Sequence, residues 1–245
     1  MRARMVLAAA GAAATGAGFA GAVAWMNRWG SSASERVRPL PGDGLIPGPA
    51  GQTTMALNVD ADPERVWRWL VQIGQDRGGM YSYDRLEQLI GLDIRSATSI
   101  RPEWQRLEVG DRIQLVPAGW GPLPDGYAFR VAAMDPPNSL VLRQGPEPWD
   151  GVWSFTLKPL GPGRCQLVSR TRTKQRPGIG GALARAASSI GVPVTWFMTR
   201  RMLLTLKARA ESGSEWSSSC EQRAGRASAG LRATCGAVQD DVVHG

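Results

Sequence analysis

The chain has 245 residues, is 43% hydrophobic and carries a formal net charge of +8, which fits one domain with a real core and extra segments at its ends. Histidine occurs once, at His244, and the three cysteines follow no C-x-x-C pattern, which argues against a His-based triad, a His-ligated metal or a disulfide framework. The positive charge comes from scattered arginines, which favours a basic, soluble surface over a nucleic-acid interface.

The N-terminal segment, residues 1–30, is predicted to be a membrane anchor. Met5–Met26 comprises 22 consecutive uncharged residues, and as a helix it would extend about 33 Å at roughly 1.5 Å per residue, enough for a bilayer core. Trp25 and Trp29 at its end suit the membrane interface. A cleaved signal peptide followed by secretion is the alternative, because "AVA" at Ala22–Ala24 resembles a cleavage site. Arginines flank both ends of the segment, so its orientation is not predicted.

The next segment, residues 31–52, is predicted to be a linker that connects the anchor to a globular domain. It contains "RPLPGDGLIPGPAG", and proline and glycine at this density disfavour both helices and strand pairing. The domain is therefore expected to span residues 53–211, and Thr53–Val59 is its first predicted strand, with alternate apolar residues on one face.

Two helices are predicted after this strand. The first begins at Pro63, with Asp62 as N-cap, and Gly74 can end it. The second is "YDRLEQLIG", in which three apolar residues lie on one side, Leu86, Leu89 and Ile90, and Gly91 ends the helix.

The pattern then changes to a period of two residues, typical of half-buried strands separated by Pro- and Gly-rich turns. Five strands are predicted: Arg112–Val116, Tyr127–Met134, Ser139–Arg143, Gly151–Lys158 and Arg164–Arg172. An Ala-rich helix over Gly181–Ser189 precedes a long one that starts at Pro193 and ends near Glu211. Residues 212–245 are rich in Ser, Ala and Gly without apolar periodicity, so this tail is predicted to be disordered.

This order of elements predicts an α+β fold with helices against one face of an antiparallel sheet. The order and several local motifs resemble the helix-grip fold of the SRPBCC, or START-like, superfamily of polyketide cyclases and lipid-binding proteins. Those motifs include "RWG", "VWRWLVQIGQDRGGMYSYDRLEQLIGLDI", "PEWQRLEVGD" and "MTRRMLLTLKARAE", and they resemble a bacterial, often membrane-anchored branch. The resemblance implies a sheet wrapped on a long C-terminal helix, with a ligand cavity between them.

The motif "RGGMYSYD", Arg77–Asp84, lacks the spacing of a phosphate-binding loop and follows a helix rather than a strand. It is interpreted either as a tyrosine-packed turn between helices or as the mouth of a pocket. Aromatic residues and Met suit a hydrophobic ligand, although the same residues could simply fill a core. The predicted ligand-binding residues are Tyr81, Tyr83, Trp104, Phe129, Trp153, Phe155, Phe197 and Met198.

The resemblance and these residues predict membrane-tethered binding of a lipid or another hydrophobic small molecule, in a single-pass protein of the bacterial cell membrane. No catalytic residue, metal, cofactor or nucleic-acid partner is predicted. Two alternatives stay open. One is a cyclase- or dehydratase-type enzyme that works without metal or His, for which buried ionisable groups in the cavity would argue. The other is a regulatory module that contacts a partner through an exposed apolar stripe on its last helix.

Overall fold

In the computed structural model the described residues are 18–89, 91–92, 94–120, 125–145, 150–174 and 193–212. Five α-helices lie in these ranges: α1 (18–26), α2 (Ala33–Val37), α3 (Pro63–Leu70), α4 (Asp84–Leu89) and α5 (193–212). Two 3-10 helices, η1 (Asp43–Leu45) and η2 (Pro102–Trp104), interrupt the loops. Proline at the first helical position favours the start of α3, as the sequence predicts.

The strands form one six-stranded antiparallel sheet in the order β1-β6-β5-β4-β3-β2. They are β1 (Gly51–Val59), β2 (Arg112–Val116), β3 (Tyr127–Asp135), β4 (Ser139–Gln144), β5 (Gly151–Gly161) and β6 (Arg164–Thr173). The period-two pattern predicted all six strands to within three residues at either end. The first strand of the chain pairs with the last, so β1 and β2 are the two edges.

The inner face of the sheet carries the main core and packs against α3 and α5. Phe155, Leu157 and Leu167 point to this face, and α5 contributes Leu203 and Leu206 to the same cluster. The far end of α5 is tied to β1, since Lys207 Nζ donates to the Asn58 carbonyl at 2.8 Å. The C-terminal end of α5 therefore lies near the C-terminal end of β1, and the first turns of α5 lie towards the opposite end of the strands, where β1 begins.

The segment predicted as a linker, residues 31–52, is instead packed onto the outer face of the sheet. Arg170, on the outer face of β6, is 1% exposed and donates to the backbone carbonyls of Glu35, Arg36 and Arg38. Ile46 from the same segment packs against outer-face valines of β4 and β5. The segment contains α2, whose last carbonyls bond to the Arg170 side chain, and its final residues Gly51 and Gln52 belong to β1.

This cover explains why β5 does not show simple alternation. All five residues from Gly151 to Phe155 are buried, although successive side chains point to opposite faces. Trp153 and Phe155 face the core, while Val152 and Ser154 face the cover.

Helix α4 forms where the sequence predicts it, and its apolar residues face outward. Leu89 is 82% exposed and Leu86 is also exposed. Six residues make less than two turns, so the helix is anchored through neighbouring groups, and its own apolar side chains stay outside.

Several predictions fall wholly or partly outside the described residues. Ile90, the helix over Gly181–Ser189 and residues 213–245 are among them, as are residues 1–17 of the predicted anchor. Within the described ranges, no helix is both long and apolar enough to cross a membrane.

Candidate ligand-binding site

Three of the predicted site residues form a continuous aromatic row on the inner face of the sheet. The ring centroids of Phe129 and Trp153 are 5.9 Å apart, and those of Trp153 and Phe155 are 4.8 Å apart. Tyr127 extends the row with an edge-on contact to Phe129 at 5.6 Å. The strand register brings these rings together. Trp153 of β5 pairs with Leu142 of β4, and Leu142 pairs with Val131 of β3, the strand that carries Tyr127 and Phe129.

Polar atoms in this row have partners that hold the rings in place. Trp153 Nε1 donates to Ser169 Oγ at 2.9 Å, and Tyr127 Oη donates to Gln144 Oε1 at 2.7 Å. Burial raises the pKa of Tyr127 to about 12, so its hydroxyl stays protonated at neutral pH. The row is therefore a neutral aromatic wall rather than an acid–base centre.

The interior is tightly filled at one end of this row. Phe155, Leu167 and Leu206 are 0% exposed, so no water-sized space touches these side chains. Trp153 retains 8% of its surface and Tyr127 is only partly buried. Along this row solvent therefore reaches the Tyr127–Trp153 end and not the Phe155 end.

The first turns of α5 present a second aromatic group. Phe197 stacks on Tyr83 with centroids 4.4 Å apart and an interplanar angle of 7°. On another side of the helix, Trp196 meets Trp25 of α1 at 5.4 Å. Ser82 Oγ lies 3.2 Å from the Met198 sulfur, which adds a contact between the loop before α4 and α5.

These contacts bring α1 and the loop that leads into α4 to the first turns of α5, and we call these three helices together the apolar end. Its exposed apolar residues are Phe19, Trp25, Leu86, Leu89, Val194 and Phe197. Large exposed side chains grouped in this way differ from the scattered apolar residues of an ordinary soluble surface. Sequence reasoning did not find these exposed residues, because the side of a short helix that faces solvent is decided by its packing.

The "RGGMYSYD" motif forms a compact turn below this surface. A Cβ on Gly78 would lie 2.7 Å from the Gln72 carbonyl oxygen and 2.8 Å from Tyr81 Oη, so only glycine fits. Tyr81 itself is fully buried, and its hydroxyl accepts a hydrogen bond from Gln72 Nε2 at 3.1 Å. Tyr81 therefore supports the turn from inside and does not reach a pocket mouth.

A cavity of about 450 Å³ opens beside this turn, which we call the arginine pocket. The turn contributes Arg77, whose Nη2 donates to the Trp104 carbonyl at 2.5 Å. The pocket is lined by residues 75–77, 95–99, Arg101 and Trp104. Of the predicted site residues only Trp104 lines this pocket, and none of the residues of the aromatic row does. Sequence reasoning missed the arginines, although Arg77 is the first letter of the motif it singled out.

The remaining buried ionisable groups do not form a catalytic constellation. Burial raises the pKa of the Cys165 thiol to about 11 and also raises the pKa of Tyr81, so both are neutral near pH 7. Among the described residues no group of His, Cys, Asp and Glu could hold a metal ion.

The structure thus divides the eight predicted residues among four places. Phe129, Trp153 and Phe155 form the aromatic row, and the other residues are distributed as follows: Tyr83, Phe197 and Met198 at the apolar end, Tyr81 in the core, and Trp104 in the arginine pocket. Their roles in ligand binding stay predictions.

Comparison with protein-family models gives no match, and comparison with curated protein sequences gives none either. Among solved structures, the Aha1 dimer from Colwellia psychrerythraea is 16% identical, covers 66% of this chain and 96% of that chain, and has a TM-score of 0.36. An HSP90 activator from Plasmodium falciparum is 11% identical, covers 56% and 84%, and has a TM-score of 0.33. A protein from Arthrobacter aurescens is 16% identical, covers 66% and 86%, and has a TM-score of 0.39. Likenesses of this size say nothing about what the chain binds.

The described elements define the class of domain without these likenesses. A six-stranded antiparallel sheet with a long C-terminal helix on its inner face is consistent with the helix-grip fold that the sequence predicts. The membrane-anchored branch stays a prediction.

Proposed function

We propose that this domain lies at a membrane surface and binds a lipid or another hydrophobic small molecule between the sheet and the first half of α5. The observation that carries the proposal is the apolar end, where each of the three helices exposes large apolar side chains and ring contacts connect α1 and the loop before α4 to α5. An apolar surface of this kind is unfavourable in water and is stabilised when lipid or a ligand covers it.

The charges around the apolar end support a membrane rather than a purely apolar partner. Arg28 and Arg201 are exposed beside it, and Arg201 lies 5.5 Å above the Tyr83 ring. Arg200 lies 5.0 Å above the Trp29 ring and 5.7 Å above the Trp196 ring. Arginine and tryptophan suit the interface because each combines an apolar body with a polar tip that reaches the headgroups.

The ligand part of the proposal rests on the contrast within the inner face. The Phe155 end is filled, whereas the Tyr127–Trp153 end keeps partial exposure and faces the direction in which α5 begins. A flat aromatic wall with few polar atoms suits an apolar ligand of loose shape. Residues 5–26 would add a tether that keeps the apolar end close to the bilayer.

Membrane docking is tested by vesicle flotation of the full-length chain carrying Leu89→Ser. Burial of one leucine side chain contributes about 1.5–3 kcal/mol, so the variant should bind vesicles at least about tenfold more weakly. The matched control is Leu160→Ser, since Leu160 is also exposed but lies at the end of β5, near the last turn of α5. Equal binding by the two variants would contradict docking through the apolar end.

The tether is tested separately by deleting residues 1–17. This deletion keeps Asn27 and Trp29, whose carbonyls accept hydrogen bonds from Thr54 and Ala56 of β1. A larger deletion through residue 30 would remove that pairing and confuse loss of the tether with loss of folding. Full-length chain in the membrane fraction and truncated chain outside it would support the tether, and full-length chain in the soluble fraction would contradict it.

Ligand binding is tested by native mass spectrometry of the full-length chain and of Phe197→Ser, a change at an exposed side chain that should leave folding intact. The proposal expects a co-purifying apolar molecule that is reduced in the variant. A chain that carries no adduct and binds no added lipid would contradict the ligand part while leaving membrane docking untouched.

A further inference from the structure

The arginine pocket has the size of a small-molecule site and the charge of an anion site. Its volume of about 450 Å³ lies within the usual range for ligand pockets, roughly 300–1,000 Å³. Three arginines line it, Arg77, Arg95 and Arg101, against one carboxylate, that of Asp76. Ser96, Thr98 and Ser99 also line it, and the amide and hydroxyl of Ser96 donate to the carboxylate of Asp84.

Arg77 is the least satisfied of these charges. Its side chain makes one hydrogen bond, from Nη2 to the Trp104 carbonyl. Its Nε is shielded from water and, within the part of the chain that the structure describes, has no acceptor. Asp76 and Asp111 act on it only through longer-range charge attraction, and burial lowers the pKa of the guanidinium. A guanidinium has five N–H donors, so most of the donors of Arg77 have no acceptor among the described residues.

Arg209 shows that this situation is not general for inner arginines. Its Nε also lacks an acceptor, but its guanidinium carbon lies 5.2 Å from the Trp69 ring and 5.7 Å from the Tyr81 ring. Two aromatic faces therefore stabilise that charge. Arg77 has neither such rings nor a carboxylate within ion-pairing distance among the described residues.

Trp104 gives the pocket an apolar side. The guanidinium of Arg101 lies 5.6 Å from the centre of the Trp104 ring, and the backbone carbonyl of Trp104 accepts the hydrogen bond from Arg77. Trp104, the last residue of η2, therefore contacts both arginines. Arg101 also meets Glu103 at 3.8 Å, but both side chains are more than half exposed, so this ion pair contributes little. The rim charge can therefore turn towards a ligand.

We propose that the arginine pocket binds a small molecule through an oxyanion group of the phosphate type. Arg77 donates to the oxyanion, Arg95 and Arg101 attract it at the rim, and the Trp104 ring contacts the body of the molecule. Guanidinium groups suit such oxyanions because their planar donors match two oxygens at once. This site is separate from the apolar end, and it stands or falls independently of the proposed hydrophobic ligand.

The experiment is a nuclear magnetic resonance titration of isotope-labelled full-length chain with inorganic phosphate. We expect saturable shifts confined to backbone amides of residues 75–77, 95–99 and 101–104. Arg77→Met should weaken the binding about tenfold or more, because a charge-assisted hydrogen bond in a shielded site is lost. Arg77→Lys keeps the positive charge but loses the planar guanidinium, so its affinity for phosphate should lie between those of the unmodified chain and Arg77→Met.

The matched control is Arg106→Met, which removes one exposed positive charge from the same loop outside the pocket. If Arg106→Met weakens phosphate binding as much as Arg77→Met does, the attraction is general and the site is overturned. Shifts that do not saturate, or that spread over all exposed arginines, overturn it as well.

A second arm identifies the source of the oxyanion. Vesicles containing phosphatidic acid are compared with neutral vesicles for the same two variants. Weaker binding of Arg77→Met than of Arg106→Met to the acidic vesicles assigns the oxyanion to a lipid headgroup. Equal vesicle binding by both, together with pocket-confined phosphate shifts, assigns it to a soluble molecule.

Discussion

The outer face of the sheet buries Arg170 and the arginine pocket partly buries Arg77, and the two guanidinium groups differ in how many protein acceptors they have. Arg170 donates to Thr54 Oγ1 at 3.1 Å, to Asp43 Oδ2 at 2.6 Å and to three backbone carbonyls. Arg77 donates to a single carbonyl. A fully matched charge holds structure together, whereas a charge with spare donors is available to a ligand.

The two regions also differ in how the chain supplies acceptors. Around Arg170 the backbone acceptors are Glu35 and Arg36 in the last turn of α2 and its C-cap Arg38, because the last carbonyls of a helix have no partner within the helix. Asp43 also pairs with Arg172 Nε at 3.1 Å, so one carboxylate serves two arginines. Around Arg77 the neighbouring carbonyls are already used by the turn, for example Gln72 by Gly78 and Gly78 by Ala97.

The largest loss of stability is expected for Arg170→Met. Removing one partner of a buried charge network costs about 3–5 kcal/mol of unfolding free energy, because Asp43 loses its closest counter-charge. Urea unfolding measures the loss. Arg164→Met is the control, since Arg164 lies on the same strand in an exposed pair with Asp60 and should cost less than about 1 kcal/mol. A loss for Arg170→Met no larger than that of the control would show that the cover does not depend on this arginine.

A smaller effect is expected for Asp43→Asn. The amide keeps the shape and one acceptor oxygen, and Arg170 keeps its carbonyl partners, so we expect a loss of about 1–3 kcal/mol. The measurement is again the midpoint of urea unfolding, compared between variants whose unfolding free energy depends on urea concentration with the same slope. A loss as large as that of Arg170→Met would mean that the carboxylate, rather than the set of carbonyls, holds the segment on the sheet.

Tyr127, a partly buried and neutral group, is expected to make the stability of the domain depend on pH. Burial raises the pKa of Tyr127 to about 12, whereas an unfolded tyrosine titrates near 10. Between these values the unfolded chain releases the proton and the folded chain keeps it. Stability from this group is therefore complete below pH 10 and is lost as pH rises to 12, by up to about 1.4 kcal/mol per pH unit. Tyr127→Phe should reduce the slope of unfolding free energy in this window, and an unchanged slope would contradict the assignment.

The smallest stability change is expected for Arg77→Met. The variant loses one hydrogen bond but no longer shields an unmatched charge, so unfolding free energy should change by less than about 1 kcal/mol in either direction. Thermal unfolding in phosphate-free buffer measures it. A loss of several kcal/mol would place Arg77 with Arg170 as a structural arginine and would remove the distinction between the two regions.

The strands were predictable because their information is local. The period of two places Trp153 and Phe155 on the same face of their strand, and in the structure their rings form a row with Phe129 of β3. Helix α3 was equally local, since Asp62 and Pro63 mark its start. Asp62 nevertheless makes no capping bond to the helix, and instead accepts from the Gly163 amide at 2.8 Å across the fold.

The sequence by itself determined the strand periods, the start of α3, the long last helix and the aromatic character of the inner face, because each depends on residues a few positions apart. Only the tertiary structure decided that residues 31–50 cover the outer face, that α4 exposes Leu89, and that Arg77 is left with spare donors. Arg170 lies 127 residues from Asp43 along the chain, and no local pattern records such a pairing. Whether a buried charge is matched depends on acceptors that the fold brings from elsewhere, which is why both arginines look alike in the sequence and differ in the molecule.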